Sequence, residues 1–183
     1  MPGTVDLLLL CGSLRGGSSN HAVLRTAAEL AGPGQALIYD GVGRLPHFNP
    51  DDDHDPLPPE VAELRSAIGN AGAVLISTPE YAGALPGSFK NALDWTIGGG
   101  EIYGKPVAWI NTAGPAAPSG GADSHDSLRK VLSYAGADIV EAACARIPIA
   151  RSDVGEDGLI HDDRIRGEIA AVVGALSGHR TRV

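Results

Sequence analysis

The sequence predicts an α/β fold, a three-layer sandwich in which helices cover both faces of a five-stranded parallel sheet. Short apolar runs alternate along the chain with longer segments whose apolar residues recur at helical spacing. Such alternation is typical of βαβ units with right-handed crossovers. Small polar residues follow three of the strands, as expected where parallel strands end at a ligand site. Five strands fit the order 2-1-3-4-5.

The strands are predicted from their apolar runs. Four consecutive leucines at 7–10 indicate a strand buried on both faces, as in the middle of a parallel sheet. The predicted strands are 5–11, 36–39, 73–77, 107–110 and a fifth within 137–147.

Apolar residues three and four positions apart predict five helices. The first spans 19–31 and ends at Gly32-Pro33-Gly34, because glycine and a following proline stop helices. The third has Pro86 in its first turn, and the chain after Ser177 is expected to fray. The apolar faces of the second to fifth helices are Val61, Leu64 and Ile68; Phe89, Ala92 and Leu93; Leu128, Val131, Leu132 and Ala135; and Ile165, Ile169, Val172, Val173 and Leu176.

Length, composition and charge limit the class of protein. A chain of 183 residues with 43% hydrophobic residues fits a single domain, 1–183, with a full core. A net charge of −8 and no basic stripe argue against a nucleic-acid partner. No apolar run approaches a membrane span and no signal-peptide pattern opens the chain, so we expect a cytoplasmic protein. Cys11 and Cys144 lie in separate apolar stretches and are predicted to be buried free thiols.

An acidic cluster at 51–55, Asp-Asp-Asp-His-Asp, leaves two interpretations open. It could bind a divalent metal, because carboxylates are the ligands that such ions prefer. A solvated turn is favoured, since nothing elsewhere in the chain supplies further ligands at a fixed spacing. No metal site is predicted.

The first loop, which follows the first strand, has the chemistry of an anion site. Ser13, Ser18, Ser19 and Asn20 offer polar groups at a helix start, where free backbone N–H groups also favour an anion. Arg15 adds a cation. The loop matches neither the Walker A nor the GxGxxG pattern, so one phosphate is favoured over three. An ordinary solvated turn with Ser18 or Ser19 as N-cap remains the alternative.

Two further loops converge on the same edge of the predicted sheet, since the carboxyl ends of parallel strands lie together. This edge holds the ligand site in the flavodoxin-like strand order. The second loop, 78–86, offers flat side chains and a glycine at which a ligand can approach the backbone closely. The third loop, 111–121, offers small residues and backbone amides. A flat heteroaromatic ring joined to one phosphate, such as flavin mononucleotide (FMN), suits all three loops.

Two motifs carry a resemblance to a known family. Gly12-Ser13-Leu14-Arg15-x-x-Ser18-x-Asn20 resembles the first signature of the NADPH-dependent FMN reductases, which include quinone, chromate and azo-compound reductases. The second signature is similar to Pro79-Glu80-Tyr81-Ala82-Gly83-x-x-Pro86-x-x-Phe89-Lys90-Asn91-Ala92-x-Asp94-Trp95. The similarity extends over about 5–147. The family usually has Asn where this chain has Ala82, a change that could alter flavin affinity or substrate choice.

The resemblance implies FMN as cofactor and a set of residues that bind it. Those at the phosphate are Ser13, Leu14, Arg15, Ser18, Ser19 and Asn20, and those at the isoalloxazine are Pro79, Glu80, Tyr81, Ala82, Gly83, Thr112, Ala113 and Gly114. Other interpretations stay open: Glu80 could pair with a lysine, and Tyr81 could be a half-buried anchor of its loop. Helix supports are expected at Lys90, Asn91 and Asp94, and a core or dimer contact at Trp95.

The resemblance also implies the activity. NADPH or NADH would reduce FMN, which would then reduce a small-molecule acceptor: a quinone, free flavin, azo compound or metal oxyanion. The cofactor carries the chemistry, so no catalytic side chain is expected. The family usually forms homodimers or homotetramers. No arginine is clearly placed for a 2′-phosphate, so NADPH and NADH are not distinguished.

Two other classes compete with this interpretation. A flavodoxin-like electron carrier would bind FMN without a nicotinamide pocket and would shield the ring with aromatics, but the chain has only two Phe, two Trp and four Tyr. A nucleotide hydrolase or transferase would need an acid paired with a nucleophile. Glu80 has no evident partner of that kind, and the six histidines are scattered and expected on the surface or in loops.

Overall fold

The computed structural model describes residues 5–114 and 117–180. The strands are β1 (Val5–Cys11), β2 (Ala36–Tyr39), β3 (Ala71–Ser77), β4 (Pro106–Asn111), β5 (Asp138–Ile139) and β6 (Ala145–Arg146). The helices are α1 (Ser19–Ala31), α2 (Pro59–Asn70), α3 (Gly87–Asp94), α4 (Ala122–Tyr134) and α5 (Asp163–Arg180). The predicted α/β class and the alternation of strands and helices are confirmed. Residues 115 and 116 of the predicted third loop lie outside the described residues.

The sheet is parallel with the order β2-β1-β3-β4-β5, as predicted. The predicted fifth strand is divided in two. β5 pairs with the start of β4 at Pro106 and Val107, whereas β6 pairs with its end at Ile110 and Asn111. A 3₁₀ turn at Glu141–Ala143 separates them. The division matters for the site, because β6 brings a further segment to the carboxyl edge of the sheet.

The leucines of β1 show why the sandwich has three layers. Because successive side chains of a strand point to opposite faces, Leu7 and Leu9 pack with α1 and α5, while Leu8 and Leu10 pack with α2, α3 and α4. All four are at most 2% exposed. Full burial of a leucine side chain contributes about 1.5–3 kcal/mol, so β1 anchors both cores.

Two predicted helix boundaries were wrong. Pro86 lies before α3 as its N-cap, not within the first turn. α5 continues through Arg180 instead of fraying after Ser177. A ring nitrogen of His179, Nε2, lies 2.7 Å from the Asp138 carboxylate beside the sheet, which holds this end of the helix in place.

The acidic segment is only in part a solvated turn. Asp51, Asp52 and Asp55 are exposed, as expected. Asp53 instead accepts a 2.7 Å hydrogen bond from the guanidinium of Arg65, a residue of α2 that is 7% exposed. Within residues 5–114 and 117–180, no group of three or more His, Cys, Asp or Glu side chains could hold a metal ion. None of the described helices is long and apolar enough to cross a bilayer.

Candidate functional site

The three polar loops meet around one cavity at the carboxyl edge of the sheet. Its volume is about 350 Å³, within the range of small-molecule and cofactor sites. The first loop (12–18) and the start of α1 form one wall, the second loop (78–86) another, and the third loop (111–121) a third. The lining residues are Ser13, Arg15, Ser18, Ser19, Asn20, Pro79, Glu80, Tyr81, Asn111, Thr112, Ala113, Gly114, Ala117, Pro118 and Ile149.

The first loop is held by its own hydroxyl groups. Ser18 is the N-cap of α1, and its Oγ accepts the backbone N–H of His21 at 3.3 Å. The Oγ of Ser13 accepts the backbone N–H of Arg15 at 3.3 Å. Both serines are buried: Ser13 is 4% exposed and Ser18 is 2% exposed. The prediction that Ser18 caps the helix is therefore correct, but the prediction of a solvated turn is wrong, because both serines are buried and line the cavity.

Asn20 joins α1 to the ends of two strands. It is 5% exposed, and its Oδ1 accepts hydrogen bonds from Ser77 Oγ at 2.9 Å and Thr112 Oγ1 at 3.3 Å. The hydroxyls of Ser19 and Thr112 are 3.0 Å apart. These contacts cross from β3 and the third loop to α1, so the floor of the cavity is rigid. The first N–H groups of α1 have no partners within the helix and can bind an anion there.

Arg15 supplies a positive charge at this wall. Its side chain is exposed and forms no ion pair with a carboxylate in the described part of the chain. Five other described arginines of this acidic protein pair with carboxylates, for example Arg44 with Glu63. An unpaired guanidinium beside a helix N-terminus favours a phosphate.

The Glu80 carboxylate in the second loop is engaged by the protein itself. Its Oε2 accepts hydrogen bonds from the hydroxyl of Ser119 at 2.6 Å and from the backbone N–H of Ser124 at 3.1 Å. Ser124 lies in the first turn of α4, whose N-cap, Gly121, has no side chain to cap it. Glu80 therefore caps the N-terminus of α4 from another loop. It forms no ion pair with a lysine among the described residues, so the interpretation of Glu80 as a partner of a lysine is wrong. Its backbone amide is the group left for a ligand.

The tip of the second loop is a tight hairpin. Tyr81 and Ala84 exchange backbone hydrogen bonds of 3.0 and 3.1 Å. Ala82 and Gly83, between them, both have positive φ, 52° and 70°, as in a type I′ turn, for which Asn-Gly is the preferred sequence. Ala82 thus holds a conformation that suits Asn or Gly. Tyr81 is 56% exposed and lines the cavity, so it is not a half-buried anchor.

Most predicted site residues come together, and three do not line this cavity. Leu14 points away and is 60% exposed, beside a neighbouring cavity with Tyr39 and Val42. Ala82 and Gly83 form the exposed hairpin tip. A Cβ on Gly83 would meet nothing nearer than 3.5 Å, so its positive φ, not close packing, requires glycine.

Four residues that line the cavity were not among the predicted ones. Asn111 ends β4, and its side chain bonds the backbone of Gly121 and Ala113 at 2.8 Å each, which shapes the third loop. Ala117 and Pro118 follow in that loop. Ile149 follows β6, and the apolar alternation at Ile147 and Ile149 was the signal that could have placed it there.

The second half of the second motif supports the fold. Asn91 accepts the N–H of Phe48 at 2.7 Å and donates to the carbonyl of Pro46 at 2.9 Å. The same carbonyl accepts from the Trp95 indole, and Trp95 is fully buried in the core. Lys90 forms an i,i+4 ion pair with Asp94. None of these side chains lines the cavity.

Neither cysteine is a nucleophile of this site. Burial raises the pKa of the Cys11 thiol to about 11, against a weaker lowering by its hydrogen bond to the Ser13 carbonyl. Burial likewise raises the pKa of Cys144, which is half-buried, to about 11. Both stay protonated at neutral pH. The histidines were expected at the surface or in loops, whereas His21, His125 and His179 lie on helices and are half-buried. His21 uses Nε2 to contact the Ser13 carbonyl at 3.1 Å.

Comparison with known proteins places the chain in a family. The model of the NADPH-dependent FMN reductases matches residues 5–150, which includes all three loops. The chain belongs to this family.

Named relatives in this family include reductases of similar length. An NAD(P)H-dependent FMN reductase of Pseudomonas aeruginosa is 32% identical over 178 residues, which is 96% of this chain and 95% of the relative. A 2-hydroxy-1,4-benzoquinone reductase of a Burkholderia species is 38% identical over 134 residues, 71% of each chain. Among solved structures, the flavoenzyme NAD(P)H:(acceptor) oxidoreductase FerB of Paracoccus denitrificans has a TM-score of 0.80 and 30% identity, and the match covers 96% of this chain and 98% of FerB.

Proposed function

We propose that this protein is an FMN-dependent NAD(P)H oxidoreductase that reduces small molecules, with quinones as the favoured acceptors. One observation carries the proposal: an anion site with an unpaired cation, and two loops suited to a flat ring, line a single cavity of about 350 Å³. The family membership and the quinone and FMN reductases among the relatives support the same activity.

The residues at the α1 end fit the phosphate of FMN. Ser13, Ser18 and Ser19 offer hydroxyls, the start of α1 offers N–H groups, and Arg15 offers a guanidinium. Charge-assisted contacts of this kind are stronger than neutral ones. The side-chain oxygen of Asn20 already accepts hydrogen bonds from Ser77 and Thr112, so its amide nitrogen is the group left to donate to a ligand.

The other end of the cavity fits a ring. Pro79 and Tyr81 give flat surfaces, and 112–114 gives small residues and backbone amides. The chemistry that FMN supplies when bound is hydride transfer, from a nicotinamide and then to an acceptor. The chain's own part is to bind and orient: donors near the ring stabilise negative charge. The carboxylate of Glu80 is engaged by Ser119 and Ser124 and holds the second loop in place.

The openness of the ring end distinguishes this proposal from an electron carrier. Tyr81 is the one aromatic side chain among the described residues that line the cavity. A carrier would shield the ring between aromatics, whereas a reductase must admit a nicotinamide and then an acceptor. We further propose that the protein is cytoplasmic, on the basis of its sequence. We propose that it forms a homodimer or homotetramer, as members of the family usually do.

The test is the spectrum of the purified protein and its response to nicotinamides. We expect a yellow protein whose flavin absorbance is bleached anaerobically by NADPH or NADH and restored by 1,4-benzoquinone, with catalytic nicotinamide oxidation in the mixture. Flavin that binds without being bleached by either nicotinamide would favour the carrier. A colourless protein that does not take up added FMN would refute both.

A further inference from the structure

A second cleft beside the proposed flavin cavity is lined by two arginines. Its volume is about 180 Å³, and its walls are Arg15, Gly17, Ser19, Ile149, Arg151 and Val154. The flavin cavity shares three of these residues, Arg15, Ser19 and Ile149. The two spaces are therefore neighbours across the Arg15 side chain.

The charges in this cleft are unusual for the protein. The chain carries a net charge of −8, and five of its described arginines form ion pairs with carboxylates: Arg44, Arg65, Arg129, Arg164 and Arg166. Arg15 and Arg151 form no ion pair with any described residue, and no carboxylate lines the cleft. The nearest acid in sequence, Asp153, uses its Oδ2 to accept the backbone N–H of Ala150 at 2.7 Å.

Two guanidiniums in one small cleft repel each other unless an anion lies between them. The chain places a carboxylate beside each of five described arginines and places none in this cleft. A phosphate monoester is small enough for the cleft, carries the charge that guanidiniums bind best, and can accept a hydrogen bond from the Ser19 hydroxyl that lines the same cleft.

We propose that the cleft between Arg15 and Arg151 binds a phosphate monoester, with Arg151 as a specificity-determining residue outside the region that the family model matches. This rests on the proposed function, which offers two sources of such a group: the phosphate of FMN and the 2′-phosphate of NADPH. Either source makes Arg151 discriminate between ligands with and without one phosphate. Arg151 lies on a turn after β6, so no pattern in the sequence placed it near the first loop.

The experiment compares Arg151→Gln with Arg164→Gln in the full-length protein. Arg164 carries the same charge, pairs with Glu168 on the exposed face of α5 and lines neither cleft. Dissociation constants are measured for FMN and riboflavin by flavin fluorescence, and KM for NADPH and NADH with 1,4-benzoquinone. We expect Arg151→Gln to weaken FMN binding or to raise the KM for NADPH by about tenfold. The constant for the matched ligand without that phosphate, riboflavin for FMN or NADH for NADPH, should change less than about twofold.

The pattern of changes decides the outcome. Selective loss of FMN over riboflavin supports the flavin phosphate as the group bound, and selective loss of NADPH over NADH supports the 2′-phosphate. The proposal is wrong if Arg151→Gln changes none of the two dissociation constants and two KM values, or if it weakens all four ligands together. It is also wrong if Arg164→Gln has the same effect. Failure of the proposed function shows separately, because the unmodified protein would then bind neither flavin or would not oxidise either nicotinamide with 1,4-benzoquinone.

Discussion

The first and second loops serve one cavity but are built in opposite ways. In the first loop and at the start of α1, Ser13, Ser18 and Asn20 are all at most 5% exposed, and their side chains bond to the loop itself, to α1 and to β3. The second loop projects as a hairpin whose tip is exposed and whose φ angles are positive. Among the described residues, its side-chain hydrogen bonds to the rest of the cavity wall come from one carboxylate, that of Glu80.

This difference indicates that the end of the cavity proposed to bind the phosphate is fixed by the core, and the end proposed to bind the ring by local backbone geometry. Changes in the first loop should therefore disturb the sheet as well as binding, whereas changes in the second loop should act through one turn or one cap. Three substitutions test this contrast through stability, from the largest expected effect to the smallest.

Gly12→Ala should be the most destabilising, by about 1–3 kcal/mol, because a buried site has no room for a methyl group. A Cβ at Gly12 would lie 2.2 Å from Thr78 Oγ1 and 2.6 Å from Thr78 Cβ, where the ends of β1 and β3 meet. Gly16→Ala is the control in the same loop, since nothing lies within 4 Å of its Cβ position, and it should change stability by less than about 0.5 kcal/mol. Urea denaturation measures both. Equal losses would mean that the first loop is not packed against the second at Gly12.

Glu80→Ala should cost about 1 kcal/mol, since it leaves the start of α4 without its cap and Ser119 without its acceptor. Glu80→Gln should cost less, because the amide oxygen can still accept. The control is Glu168→Ala, which removes an exposed i,i+4 ion pair and should change little. If Glu80→Ala unfolds at the same urea concentration as Glu168→Ala, the carboxylate does not hold the second loop.

Ala82→Asn should stabilise the protein by about 0.5–1 kcal/mol, because Asn tolerates the positive φ that Ala82 adopts at 52°. In a chain of 183 residues, this corresponds to a rise in Tm of about 1–4 °C. Ala82→Val should lower Tm, since β-branched residues resist this conformation. A fall in Tm for Ala82→Asn would show that the hairpin tip is not a type I′ turn.

The same contrast explains how much the sequence predicted. The four leucines of β1 and the Ser18 cap are local signals, so the strand, α1 and the first loop were placed correctly. The convergence of three loops followed from the parallel order alone. The two-residue strands β5 and β6 were missed as separate elements, because so short a strand has no periodicity to detect.

Other features depend on contacts between distant parts of the chain. Glu80 meets Ser119 and Ser124, which lie 39 and 44 residues later, and no spacing rule links them. The same holds for Arg151, which reaches the site only through the return of the chain after β6. The positive φ of Ala82 could not be predicted for a different reason. Asn-Gly at this position would have predicted the turn, but alanine does not.

The account depends most on the claim that the first loop binds the phosphate of FMN, and Arg15→Glu tests it directly. Arg15 is exposed, so the variant should stay folded. Charge-assisted contacts to a phosphate contribute about 1.5–3 kcal/mol, and the substitution adds repulsion to their loss. Dissociation constants for FMN and riboflavin are measured by flavin fluorescence in both proteins. FMN binding should weaken at least about tenfold, while riboflavin, which lacks the phosphate, should change little. If FMN and riboflavin weaken equally, or neither does, Arg15 is not a phosphate ligand and the account is wrong.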